Sequence, residues 1–133
     1  MKTNDAGRGS RLMTWAGWGL TALFALFMAF NTAGKLMRLA GAGGETDLGF
    51  PSRIGFAIGV VEALLLALYL FPRTSVLGAV LFTGLFGGAM ASHVRAGDPL
   101  LFPTLMGVYL GVIAWGGIWL RDPRLRAIFP FRR

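Results

Sequence analysis

The sequence predicts an all-α protein, a four-helix bundle embedded in a membrane. Of its 133 residues, 55% are hydrophobic and 14% are charged, whereas a soluble domain carries about 25% charged residues. Most charged residues lie at the ends of the chain or between four apolar runs. Each run is long enough to cross a hydrocarbon core of about 30 Å. We therefore expect one four-span domain over residues 1–133.

Glycine, proline and charged residues mark where each span ends. Ala40–Phe50 is a Gly-rich loop, and Pro72–Thr74 is a turn so short that the flanking spans must be antiparallel neighbours. The first apolar run, Leu12–Phe30, exceeds the roughly 7–15 residues of a signal-peptide core, so we expect it to be retained. The predicted spans are about 12–39, 51–71, 75–94 and 100–120, followed by a basic, surface-lying tail at 121–133.

The distribution of basic residues predicts that both termini are cytoplasmic, because Lys and Arg concentrate on the cytoplasmic side of membrane proteins. Four of them, Lys35, Arg38, Arg53 and Arg95, lie on the opposite side. Nine lie in the N-terminus, the short turn and the tail: Lys2, Arg8, Arg11, Arg73, Arg121, Arg124, Arg126, Arg132 and Arg133. Topology and anionic lipid headgroups explain the net charge of +7 better than nucleic-acid binding does. The predicted location is the bacterial inner (plasma) membrane.

Glu62 is an acid in the middle of the second span. It lies about 17 Å beyond Pro51 at 1.5 Å per residue, and a charge at this depth costs at least about 2.5–3.5 kcal/mol. Gly55, Gly59 and Ala63 share its helical face, and small residues are typical of contacts between transmembrane helices. Glu62 is therefore expected to face the bundle interior, where it needs a partner, a proton or a function.

Four other polar residues are candidates for the same site. Asn31 and Lys35 are four residues apart near the outer end of the first span, His93 ends the third span, and Tyr109 is a minor candidate in the fourth. Three interpretations of Glu62 stay open: a polar pocket that binds a ligand or relays protons, a pair with Asn31 or Lys35 that fixes helix register, and an unpaired, protonated acid.

Glycines four residues apart predict where the helices approach each other most closely, because close packing in membranes uses small residues. The predicted packing positions are Gly55 and Gly59, Gly84 and Gly88, and Gly107 and Gly111.

The residues needed for most covalent and metal chemistry are missing. The chain has no cysteine and one histidine, which excludes disulfides, thiolate chemistry and a haem held by two histidines of this chain. The sequence contains no evident catalytic triad, carboxylate pair or metal-ligand cluster. We expect no metal site, no covalent cofactor and no stand-alone catalysis, and a redox role would need a borrowed cofactor or a quinone.

Several short motifs follow one another along the chain. They are Gly34-Lys35, Leu48-Gly49-Phe50-Pro51, Gly59-x-x-Glu62, Phe71-Pro72-Arg73-Thr74 with Gly78, Gly87-Gly88-Ala89 before Ser92-His93, and Arg121-Asp122-Pro123-Arg124-Leu125 with Pro130. In order and spacing, they resemble the DoxX-like family of small four-span membrane proteins. The resemblance implies a four-helix membrane bundle with Lys35, Glu62 and His93 at the family's recurring polar positions. It also implies links to redox complexes or to membrane-protein assembly, since the family is named for a subunit associated with a quinone-reducing oxidase of sulfur compounds.

The leading functional expectation is a membrane accessory protein or subunit. A polar pocket around Glu62, in the outer half of the membrane, would bind a hydrophobic or quinone-like ligand or a partner membrane protein. One alternative is a quinone-handling subunit of a membrane oxidoreductase. A second is a small proton-coupled transporter, although four-span multidrug transporters carry their intramembrane glutamate in the first helix. Association into a homo-oligomer stays open.

Overall fold

The computed structural model describes residues 2–41 and 49–131, and all the regular structure among these residues is helical. Four helices are long and apolar enough to cross a membrane, which confirms the predicted all-α membrane bundle. The helices are α1 (Lys2–Gly41), α2 (Ser52–Leu70), α3 (Ser75–Ala96), α4 (Met106–Arg121) and the short α5 (Pro123–Ile128), with a kinked segment at Leu100–Thr104.

The four long helices form a ring in which each packs against two neighbours. α1 lies between α2 and α4, and α3 occupies the opposite corner. Aromatic rings fill the centre: Phe24 packs edge-on against Tyr69 and Phe82, at centroid distances of 4.8 and 5.2 Å. The Tyr69 hydroxyl donates a 2.8 Å hydrogen bond to the Ala114 carbonyl, which joins the diagonal pair α2 and α4 and satisfies a buried polar group.

Glycine allows the closest approaches between helices. A Cβ added to Gly17 would lie 2.7 Å from the backbone nitrogen of Arg121, and one added to Gly117 would lie 2.8 Å from Thr21 Oγ1. Between α2 and α3, a Cβ on Gly78 would lie 2.5 Å from the backbone nitrogen of Tyr69. No side chain fits at these distances, so these three positions fix how α1 meets α4 and how α2 meets α3.

The predicted packing glycines divide into two groups. Gly55 is buried, a Cβ on Gly59 would lie 3.0 Å from Leu36, and one on Gly107 would lie 3.0 Å from Met90. The other three differ from the expectation, because an added Cβ would have no heavy atom within 4 Å. They are Gly84, Gly88 and Gly111. The last of these lines an apolar groove of about 400 Å³ between α3 and α4, where the two helices do not close on each other.

The ends of the helices depart from the predicted spans in two places. α1 starts about ten residues before the predicted span, and residues 5–12 are exposed. The fourth span is interrupted, because Phe102 has extended backbone angles (φ −159°, ψ 128°) and the Leu105 N–H bonds to the Leu100 carbonyl five residues back. The predicted surface tail begins with α5, whose Leu125 is buried.

Candidate functional site

Glu62 occupies the buried face of α2. Buried residues recur there at positions 55, 59, 62, 65 and 69, the spacing of one helical face. That face packs against α1, and Gly59 lies one turn before the acid, against Leu36. The small residue lets α1 come close enough for its polar side chains to reach Glu62.

Both carboxylate oxygens of Glu62 have partners on α1. Lys35 Nζ lies 2.6 Å from Oε1, and the Thr32 hydroxyl donates to Oε2 at 3.1 Å. Thr32 and Lys35 are three residues apart, so they share one side of α1. Asn31 is half-buried and forms no hydrogen bond with any described residue. The structure therefore brings Lys35 and Thr32 to Glu62, and it does not bring Asn31.

The two side chains of the ion pair differ in their exposure. The Glu62 side chain is 6% exposed, whereas the Lys35 side chain is 38% exposed. An ammonium group has three N–H donors, and one hydrogen bond from Lys35, the bond to Glu62, is formed among the described residues. The remaining donors have no acceptor among the described residues.

His93 and Tyr109 belong to other local structures. His93 Nδ1 lies 2.6 Å from Asp98 Oδ2, and the Asp98 N–H bonds to the His93 carbonyl, so the two residues close the C-terminal end of α3. The Tyr109 hydroxyl donates to the Leu101 carbonyl at 3.2 Å, which ties α4 to the kinked segment. Neither side chain contacts the Lys35–Glu62 pair through a hydrogen bond.

Sequence reasoning did not single out Thr32, Thr104 or Arg121, each of which contacts or faces the bundle interior. The position of Thr32, one turn before Lys35, could have indicated that it faces Glu62. A threonine in a helix, however, more often forms a hydrogen bond with its own backbone. Thr104 is buried and its hydroxyl has no hydrogen-bond partner. Arg121 places its guanidinium carbon 4.4 Å from the centre of the Trp18 ring, a contact that no local pattern indicates.

The site offers an anion–cation pair in an apolar surrounding, without the ligands of a metal centre. Within residues 2–41 and 49–131, no group of three His, Cys, Asp or Glu side chains is close enough to hold a metal ion. The chemistry within reach is hydrogen-bond donation by Lys35.

Four membrane-length helices, with an ion pair between the first two, define a small multi-pass membrane protein. A sequence model of the DoxX-like family matches residues 11–117, a range that includes Lys35, Glu62, His93 and Tyr109. The chain belongs to the DoxX-like family, as its motifs predicted. No curated protein and no solved structure matched the chain.

Proposed function

We propose that the chain is a non-catalytic accessory protein or subunit of the bacterial inner membrane. The Lys35–Glu62 pair would form the polar end of a site for a hydrophobic ligand that carries a carbonyl oxygen, such as a quinone. With both termini cytoplasmic, as the basic residues favour, this site belongs to the outer half of the membrane.

The observation that carries the proposal is the half-open ion pair. A pair that only fixed helix register would be most effective with both partners enclosed. Here the carboxylate is enclosed and the ammonium is not. Glu62 orients the Lys35 side chain at a depth where a lone ammonium would be costly, while Lys35 has further N–H donors that no described residue accepts.

The surroundings favour an apolar ligand with one polar end. Met37, near the same end of α1 as Lys35, and Ile54 and Phe56, near the start of α2, have exposed large hydrophobic side chains. In a bilayer they would face lipid, so a ligand could reach Lys35 sideways from the membrane. A carbonyl oxygen accepts a hydrogen bond from an ammonium without carrying a charge into the hydrocarbon.

The test measures quinone binding by a variant that has lost both charges. Purified full-length protein in lipid nanodiscs would be equilibrated with decylubiquinone, and the quinone retained per chain would be measured after extraction. The double variant Lys35→Met/Glu62→Gln leaves no buried charge unpaired, so it should fold. We expect it to bind at least tenfold less quinone, because a hydrogen bond from a charged donor is lost.

The matched control is Arg53→Met, which removes one exposed basic charge from the same end of α2. It should bind quinone like the unmodified protein. If the double variant folds and retains unmodified quinone binding, the pair only fixes helix register and the proposal fails.

A further inference from the structure

Basic side chains crowd the end of the bundle where α1 begins and α4 ends. Two acids lie among them, Asp5 and Asp122, and Asp122 Oδ1 already accepts a hydrogen bond from the Arg124 backbone N–H. Within the described part of the chain, no arginine at this end forms an ion pair. The arginines are Arg8, Arg11, Arg73, Arg121, Arg124 and Arg126.

Two of these arginines lie beside α1, at the corner where α4 meets α5. We call this side-chain cluster the notch and define it by Met13 and Trp18 on α1 and by Arg121 and Arg126 at the corner. The Arg121 guanidinium lies over the Trp18 ring at 4.4 Å, and Arg126 Nη1 lies 3.3 Å from Met13 Sδ. Met13 and Gly17 are one helical turn apart, so both arginines lie beside about 6 Å of α1.

The hydrogen-bonding capacity of both guanidinium groups is poorly used. Arg121 Nη2 is buried without a partner, and the Arg126 contact is to a thioether sulfur, which is a weak acceptor. A guanidinium has five N–H donors in a planar fork that matches the oxygens of a phosphate group. The notch therefore has donors that an anionic acceptor would satisfy.

The position of the notch indicates where that anion comes from. Trp15 and Trp18 are both exposed, and exposed tryptophans of membrane proteins concentrate at the level of the lipid headgroups. Trp18, Ala22 and Leu26 follow at i, i+4 and i+8, and all three are exposed. A lipid with its phosphate in the notch would have an apolar strip of α1 beside its acyl chains.

We propose that the notch binds the phosphate of an anionic phospholipid headgroup. The site differs from the Lys35–Glu62 pair in location and in chemistry. Arg126 and Arg121 donate to the phosphate oxygens, and Trp18 holds the Arg121 guanidinium in place through a cation–π contact.

The test titrates the detergent-solubilised full-length protein with phosphatidylglycerol or phosphatidylcholine and counts bound lipid by native mass spectrometry. The protein should bind phosphatidylglycerol about tenfold more tightly than phosphatidylcholine. Arg126→Gln should lower phosphatidylglycerol affinity about tenfold, the effect of one lost hydrogen bond to a charged group. Arg126→Lys keeps the charge but loses the planar fork. Its phosphatidylglycerol affinity should therefore lie between those of the unmodified protein and Arg126→Gln.

Arg124→Gln is the matched control, because it removes the same charge from an exposed position at the same corner, outside the notch. It should change the affinity less than about twofold. An equal loss in Arg124→Gln and Arg126→Gln would show that general charge attracts the lipid and would overturn the notch. Displacement of the lipid by equimolar inorganic phosphate would also overturn the proposal, since the ligand would then be the free anion.

Discussion

At the scale of single residues, the unequal exposure of Lys35 and Glu62 governs how each responds to substitution. Breaking a buried ion pair is costly because the remaining charge stays buried and unpaired. The cost depends on which charge remains. The Lys35 ammonium is partly exposed and has a flexible stem that can carry it toward the surface, whereas the Glu62 carboxylate is enclosed.

Lys35→Met should therefore destabilise the protein more than Glu62→Gln. The first variant leaves an enclosed carboxylate with the Thr32 hydroxyl as its remaining partner, and we expect a loss near ~3 kcal/mol. The second leaves an ammonium that reaches polar surroundings. The double variant should recover most of the loss. Thermal unfolding of all three in one detergent checks this, and equal losses in the two single variants would contradict it.

At the scale of helices, a glycine matters where the neighbouring helix presents backbone to it. Gly17 and Gly78 face backbone atoms that cannot move aside, whereas Gly88 and Gly111 face open space within the described chain. The Gly-x-x-x-Gly spacing does not predict this difference, because Gly88 and Gly111 belong to such pairs whereas Gly17 and Gly78 have no glycine four residues away. The two groups of glycines differ because of the rotation of each helix about its own axis, which decides whether a glycine faces a neighbouring helix.

Gly17→Ala and Gly88→Ala form a matched pair that tests this difference. The first places a methyl group 2.7 Å from the backbone of α4, and we expect it to cost ~1–3 kcal/mol. The second has no contact to violate and replaces glycine with the best helix former, so it should be neutral or stabilising by up to ~1 kcal/mol. Chemical or thermal unfolding of both variants in the same detergent measures the change in stability. A larger loss of stability for Gly88→Ala would mean that α3 is rotated so that Gly88 faces another helix.

The sequence was sufficient to predict the number of membrane-length helices, because hydropathy is a property of one segment. One of the three interpretations paired Glu62 with Asn31 or Lys35, and the structure places Lys35 against Glu62. Choosing between Asn31 and Thr32 requires the rotation of α1 about its axis to within one residue, about 100°. That rotation is set by Gly17, Gly59 and Gly117 packing against other helices, so it depends on contacts between distant parts of the chain.

At the scale of the whole molecule, the even number of spans places both termini on one side of the membrane. The nine-to-four distribution of Lys and Arg predicts that this side is the cytoplasm. In the structure, the start of α1 and the end of α4 lie at the same end of the bundle, since Arg121 contacts Trp18.

Introduced cysteines would read this orientation directly, because the chain has no native cysteine. Ser10→Cys and Ala96→Cys lie in exposed positions at opposite ends of the bundle. In intact cells, a membrane-impermeant maleimide should label position 96 and leave position 10 unlabelled until the cells are opened. Labelling of position 10 alone in intact cells would invert the topology.

The aromatic cluster at the centre of the bundle has a consequence for solute movement. Phe24, Tyr69 and Phe82 fill the axis, and the Tyr69 hydroxyl fastens the diagonal helices together across it. Rings packed this densely leave a single copy no central conduit at their level. A solute crossing the membrane through this protein would have to pass outside the four-helix ring, along the lipid-facing side of a helix or between neighbouring copies.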